Sequence, residues 1–377
     1  MSLNFKLASR NLFHDRLRFV ATIIGIVFSM ILVTVQMGLY LGFGRMVTTM
    51  IDHASADLWI MPRGTKCFED PSLLDERQRF RALSVNGVAQ ANPVVIGFAE
   101  WRLPTGGTTP VFIVGSDMRG AGIRPWNLVA GSVEALSVPN AVAVDQSYFE
   151  RLGITGMGAT AEIRDQKVEV MAVTKGIRSF TTTPYVFTVI DRARAFTGIA
   201  PNKATYFLVR VSPNTDVETV RGRLQASLPD VEVLTPVEFR ERSREFWLFD
   251  TGAGMALFAG ALLGIIVGTV IVAQTLYSST KDHLNEFATL RAIGSSGMYI
   301  HKVIIWQALL SAVIGFCIAA GIGAIVVKMT ADSALPIVMT SGLTVALFAL
   351  TVVMCVASAI AAIVKVMRID PAMVFTR

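Results

Sequence analysis

Four stretches of this 377-residue chain hold no Asp, Glu, Lys or Arg, and each is long enough to cross the roughly 30 Å hydrocarbon core of a bilayer. They are Phe19–Leu41, Met255–Tyr277, Val303–Val327 and Leu343–Val364. This pattern predicts a membrane protein, α-helical with four transmembrane helices, and it leaves more than half of the chain outside the spans. Composition agrees. The chain is 53% hydrophobic and 16% charged, against about 45–50% and about 25% in soluble domains. The first run is too long for the hydrophobic region of a signal peptide, and Ala54-Ser55-Ala56 lies beyond Arg45 and Asp52. We therefore expect a retained helix.

The net charge of +6 has a location. Between Arg45 and Asp250 basic and acidic residues number 23 each, out of 34 and 28 in the whole chain, so the long middle is neutral. Met1–Arg18 carries +3, Ser278–Lys302 carries +1 and Lys365–Arg377 carries +2. Basic segments flanking apolar runs report topology and not a nucleic-acid patch. The positive-inside rule puts both termini and the loop between spans two and three in the cytoplasm, with the middle region and Lys328–Thr340 outside. The expected organisation is a cytoplasmic amphipathic leading helix over 1–18, transmembrane helix 1 over 19–41, and an outside α/β domain with helical stalk over 42–251. Then come transmembrane helix 2 over 252–277, a cytoplasmic segment over 278–302, transmembrane helix 3 over 303–327, a loop over 328–340, transmembrane helix 4 over 341–364 and a tail over 365–377.

No ionisable residue interrupts the spans, which argues against a proton- or ion-coupled carrier. Gly260, Gly264 and Gly268 form a G-x-x-x-G-x-x-x-G row in span two, and Gly315, Ala319 and Gly323 a similar row in span three. Such rows let helices approach closely, either within one subunit or at a dimer seam.

The middle alternates strand-like and helix-like segments. Expected strands are Val94–Leu103, Val111–Val114, Ala141–Val144, Ala161–Arg164, Val168–Val173, Tyr185–Ile190 and Thr205–Val211, with a hairpin turn at Asp165-Gln166. Helices are expected over Asp145–Leu152, Asp191–Phe196 and Asp216–Leu228, the last capped by Thr215 and Glu218. Thr235-Pro236-Val237-Glu238 starts a further helix leading toward span two. Gly42, Gly44, Gly252 and Gly254 are the expected weak points of the stalk.

Catalytic signals are weak. The chain has no Gly-Lys pair and hence no phosphate-binding loop of the G-x-x-x-x-G-K-[ST] type, and no complete G-x-G-x-x-G, H-E-x-x-H, C-x-x-C or G-x-S-x-G. Its histidines, His14, His53, His283 and His301, are scattered, and Asp75/Glu76 reads as a solvated acid pair. Cys67 has no partner in the middle region.

The cytoplasmic segment is more informative. Leu284, Phe287, Leu290 and Ile293 fall at helical spacing, and Gly294-Ser295-Ser296-Gly297 stops the helix. Asn285-Glu286-Phe287-Ala288-Thr289-Leu290-Arg291-Ala292-Ile293-Gly294 resembles the E-[IF]-[AG]-x-L-[RK]-A-[IL]-G segment of ABC-transporter permeases of the MacB/FtsX/LolC (mechanotransmission) type. Leu7-Ala8-Ser9-Arg10-Asn11-Leu12 resembles that family's A-x-R-N-L helix, and Arg368-Ile369-Asp370-Pro371-Ala372 its R-[IL]-x-P-[AV] tail. Ala56-Asp57-Leu58-Trp59-Ile60 and the short outside domain look most like the DevC branch.

The resemblance implies a bacterial inner-membrane permease working as a homodimer, with a periplasmic α/β domain between helices 1 and 2. It implies that Glu286, Leu290, Arg291 and Gly294 dock a separate cytoplasmic ATPase, present in two copies, with Arg10 and Asn11 in support. ATP and Mg would bind that partner; this chain itself would be no enzyme and bind no cofactor. It further implies export of a lipid, glycolipid or hydrophobic compound through a periplasmic membrane-fusion adaptor and an outer-membrane channel. The alternatives are FtsX-like signalling to a cell-wall hydrolase and LolC-like lipoprotein extraction.

Overall fold

The computed structural model describes residues 15–282, 297–331, 333 and 335–367. It divides into two compact units, Met1–Gly42 with Gly254–Arg377, and Phe43–Ala253.

Among the described residues four helices are long and apolar enough to cross a membrane. They run Arg16–Met46, Ala253–Asp282, Gly297–Thr330 and Ser341–Met367, and are called here spans 1 to 4. Each extends past its charge-free run, because arginine and lysine stems cover helix surface while their charged heads reach water. Span 1 passes through Gly42 and Gly44 unbroken, so these two are not the weak points expected of them. A Cβ at Gly42 would strike the carbonyl oxygen of Pro336, and the Val338 amide donates to the Gly38 carbonyl at 3.1 Å. The glycines thus admit a crossing backbone.

Span 1 is the hub of the first unit. Gly260, Gly264 and Gly268 of span 2 lie against Gln36, Leu32 with Val33, and Ser29 respectively. Gly315 of span 3 lies against Ile26, and Gly323 against Thr34. Both small-residue rows therefore admit the same helix of the same chain. The close approach allows a direct bond between helices, Ser29 Oγ donating to the Gly264 carbonyl at 2.7 Å. Ser358 Oγ of span 4 donates likewise to the Thr269 carbonyl at 3.0 Å. The opposite side of span 2, with Phe258, Leu262, Leu263, Ile266 and Val270, stays exposed.

The second unit is mixed α/β. Its strands are β1 Leu58–Pro62, β2 Leu74–Asp75, β3 Val88–Arg102, β4 Thr108–Ser116, β5 Leu128–Gly131 and β6 Ala141–Asp145. They continue with β7 Thr160–Ile163, β8 Gln166–Thr174, β9 Tyr185–Val189, β10 Lys203–Ala204, β11 Tyr206–Val211 and β12 Val231–Leu234. Ten of them form one sheet in the order β12-β1-β11-β3-β4-β9-β6-β8-β5, with β7 bridging β3 and β8. Hence β3, β4, β9, β6, β8 and β7 close on one another as a ring. The β4/β9 and β6/β8 pairs are parallel and the others antiparallel. β3 is long enough to serve both parts: its first half pairs β11 and its second half pairs β4.

Two cores result. One holds Val95, Trp101, Val111, Val144, Ile163 and Val170, and Trp101 Nε1 donates to the Leu152 carbonyl at 3.1 Å. The other is aromatic, with Trp59, Phe68, Phe112, Tyr206 and Phe239 in edge-to-face, tilted and stacked contact.

Several local expectations need correction. The hairpin between β7 and β8 turns at Arg164 and Asp165, both left-handed at φ 50° and 60°, one residue earlier than expected. The helix Val217–Ser227 is capped by Asp216, which accepts from the Thr219 amide at 2.9 Å, and not by Thr215. The expected helix over Asp145–Leu152 is a short 3-10 turn followed by Phe149–Leu152. The Thr235/Glu238 capping box is formed. Strands β1, β2, β5, β10 and β12 and the helix Glu76–Leu83 were not expected.

The packing predicts a contrast between two glycines. A side chain at Gly268 would overlap Ser29 and come within 3.0 Å of Met354 Sδ, whereas nothing lies within 4 Å of a Cβ at Gly321. Gly268→Val is expected to destabilise the solubilised protein by about 1–3 kcal/mol, seen as a lower thermal midpoint. Gly321→Val is expected to leave it within error.

Candidate functional site

Six of the residues expected to carry function, Arg10, Asn11, Glu286, Leu290, Arg291 and Gly294, lie outside the described residues. Described residues flank the 283–296 segment on both sides and begin again at Asp15 after Arg10 and Asn11. Arg18 near the start of span 1 pairs with Asp15 at 3.1 Å and with Asp282, the last residue of span 2. The segment 283–296 follows directly on that ion pair. Such partly exposed pairs contribute about 0–1 kcal/mol, so this one orients more than it stabilises.

The second unit contains a junction that sequence reasoning did not find. The helix Pro236–Glu245 widens into a π-turn over Phe246–Asp250. The Thr251 amide then donates to the Phe246 carbonyl at 3.1 Å, and Gly252, at φ +76°, ends the run. The extra residue in a π-turn rotates the helix face by roughly 100°. Here the turn carries Trp247, whose ring lies 4.4 Å from that of Phe180, and Phe180 lies 5.3 Å from Phe43. Met46 and Val47 complete this buried cluster. Arg240 pairs with Asp52 at 2.6 Å, so the chain just after Met46 and the helix before Trp247 are tied twice.

Trp247 also reaches a carboxyl group. Its Nε1 donates to Glu69 Oε2 at 3.2 Å, and the Tyr185 hydroxyl donates to Glu69 Oε1 at 3.3 Å. The loop carrying Glu69 is pinned from beneath by the Tyr206 hydroxyl, which reaches the carbonyls of Cys67 at 3.2 Å and Phe68 at 2.8 Å. Part of the Glu69 side chain is at the surface, but protein surrounds its carboxyl. That burial raises its pKa to about 7, against the opposing pull of its own backbone amide, Trp247 and Tyr185. Burial and the neighbouring Glu69 push the Cys67 thiol up to about 12, so Cys67 is no ready nucleophile. A cavity of about 290 Å³ opens here, lined among others by Lys66, Glu69, Phe98, Phe112, Phe246 and Trp247.

Other candidates resolve into structure. Glu76 is part of an ion-pair network, 2.9 Å from Arg79 and 2.7 Å from Arg194, with its side chain 17% exposed, so the expectation of a solvated face is corrected. Asp75 caps the following helix through the Arg77 amide at 3.0 Å. His53 stacks on Trp126 at 3.8 Å. Among the described residues no group of three or more His, Cys, Asp or Glu is placed to hold a metal ion. A second cavity, of about 380 Å³, is lined by Arg102, Glu162, Arg164 and Asp165, in which Arg102 pairs with Glu162 at 2.8 Å.

The Glu69 proton has a thermodynamic consequence. In the unfolded chain this carboxyl titrates near 4.5, and in the folded chain near about 7. The folded state binds the extra proton across that window, so its contribution to stability is lost as pH rises from 4.5 toward 7. Glu69→Gln should remove this slope. Thermal midpoints of variant and parent, measured across the window, are expected to diverge in the variant's favour as pH rises.

Comparison with known proteins follows the two units. Residues 19–227, more than half of the chain, match the MacB-like periplasmic core domain family. Residues 258–371 match the FtsX-like permease C-terminal family. None of the curated proteins matches the chain. Among solved structures, the extracellular domain of the ABC-type transporter YknZ from Gram-positive bacteria is 16% identical with a TM-score of 0.35, covering 48% of this chain and 99% of that one. The periplasmic region of MacB from Actinobacillus actinomycetemcomitans is 9% identical with a TM-score of 0.38, covering 51% and 94%. With its four apolar helices and an α/β domain inserted between the first two, the chain belongs to the MacB/FtsX-like family of ABC-transporter permeases.

Proposed function

We propose that this chain is the membrane subunit of an ATP-driven exporter that works by mechanotransmission. A separate cytoplasmic ATPase, in two copies, would bind ATP and Mg and dock on Glu286, Leu290, Arg291 and Gly294, with Arg10 and Asn11 in support. Two copies of the chain would form the working unit, its termini in the cytoplasm of a bacterial inner membrane. The movement would pass to the outside domain, which would hand a lipid, glycolipid or other hydrophobic compound to a periplasmic adaptor and outer-membrane channel, as in the DevC branch.

One observation carries this reading: the spans offer no charged path, yet the helix of span 1 continues unbroken from Arg16 to Met46. A machine that moves its outer domain needs stiff helices and no ion relay. The contact of Phe43, Phe180 and Trp247 supplies a place where movement of one helix end reaches the other. Since the Gly260, Gly264 and Gly268 row is filled by span 1, we assign the seam with a second copy to the exposed Phe258, Leu262 and Ile266 side of span 2.

The same uncharged spans favour, as a second reading, FtsX-like signalling to a cell-wall hydrolase, which also needs no path; LolC-like lipoprotein extraction remains within the family's range. The partner separates them: an adaptor recovered with the outside domain supports export, a hydrolase supports signalling.

The docking assignment has a direct test. Glu286→Lys combined with Arg291→Glu is expected to abolish co-purification of the ATPase from membranes while the chain stays inserted. An ATPase that still co-purifies and hydrolyses at the parental rate would overturn it.

A further inference from the structure

We propose that the cavity beside Glu69 is a binding site for a small organic cation, an amine on an apolar body. The size fits: about 290 Å³ is at the lower end of the roughly 300–1,000 Å³ typical of small-molecule sites, and far too small for a phospholipid.

The walls fit the body. Phe112 and Tyr185 are buried beneath the cavity, Phe246 and Trp247 stand on the π-turn, and Phe98 stands 57% exposed beside them. The Phe98 ring packs edge-to-face on buried Phe112 at 4.9 Å and leaves its remaining surface to the cavity. Aromatic faces also attract cations. The protein's own Lys66 shows the attraction at the rim, its Nζ lying 5.6 Å from the centre of the Phe246 ring.

Glu69 fits the charge. Only neutral donors reach its oxygens: the Tyr185 hydroxyl at 3.3 Å, Trp247 Nε1 at 3.2 Å, its own backbone amide and the Cys67 thiol. A carboxylate gains more from a charged donor than from neutral ones. The groups that face it are Lys66, Cys67 and Asp70 on its own loop, Tyr185 on β9, Trp247 on the π-turn and Tyr206 beneath the loop. Cys67, Tyr185 and Tyr206 are held protonated by burial, so they present no anion to compete. Burial favours the protonated carboxyl well above the usual carboxylate range. A bound ammonium would favour the ionised form and expel that proton. The proposal does not rest on the ATPase-docking assignment; either can fail alone.

The test uses the full chain in phosphatidylcholine nanodiscs, with 4-phenylbutan-1-amine as probe, 4-phenylbutan-1-ol as its neutral counterpart, and empty nanodiscs as the blank. Titration calorimetry at neutral pH is expected to show saturable binding of the amine, one per chain, and no saturable binding of the alcohol. Repeating the titration in buffers of different ionisation enthalpy should show release of a fraction of a proton per amine bound. Glu69→Gln, nearly the same shape, should weaken amine binding at least tenfold and abolish proton release. Phe98→Ala, at an exposed position that tolerates truncation, should weaken it severalfold. Equal binding of amine and alcohol, binding that only follows the lipid content, or an unchanged affinity in Glu69→Gln with a folded protein, would each overturn the proposal.

Discussion

The membrane unit depends on how near other helices come to span 1. Apolar helices in lipid gain nothing from hiding from water, because the lipid is as apolar as they are; packing and interhelical hydrogen bonds must hold them together. Missing Cβ atoms make that possible here. Gly268 leaves room for Ser29, Gly264 for Leu32 and Val33, and Gly315 for Ile26. The Ser29 bond to the Gly264 carbonyl exists only because the two backbones are this close. Gly38 and Gly42 extend the principle to the segment before span 4, where Pro336 and Val338 cross span 1. A helix approached through glycine on several sides cannot be displaced without disturbing every neighbour.

The second unit solves a different problem, that of holding two chain crossings together. Its first residues and its last helix meet through Phe43, Phe180 and Trp247 and through the Arg240–Asp52 pair. Trp247 joins this contact to the Glu69 loop, so one indole ring touches both the junction and the cavity. The cavity wall and the junction thus share a single side chain.

The legible parts of the sequence were those with long or local signals. Four charge-free runs declare four spans regardless of tertiary detail, and Thr235-Pro236-Val237-Glu238 declares a helix start because every atom of the cap lies within four residues. The central strands β4, β6, β8 and β9 were legible from their β-branched runs. β1, β5 and β12 are only four or five residues long, and β1 ends in Met and Pro, so the local signal is short and tertiary pairing completes them. The Glu69 site was illegible for a geometric reason. Its carboxyl is read by Tyr185 and Trp247, 116 and 178 residues away, and a Cys-Phe-Glu-Asp loop looks like any polar turn until those rings arrive. Asp75 and Glu76 show the same limit, since only the fold brings Lys203 and Arg194 to them.

Closing six strands into a ring leaves the sheet with few open ends. Each of β3, β4, β6, β7, β8 and β9 pairs with at least two neighbours. The termini of the sheet are β12 and β5, each four residues. A peptide strand adding to either end of this sheet would find only a handful of amides to pair with. At those two ends a partner must therefore know the domain by its side chains, in surface residues that can change without unmaking the fold.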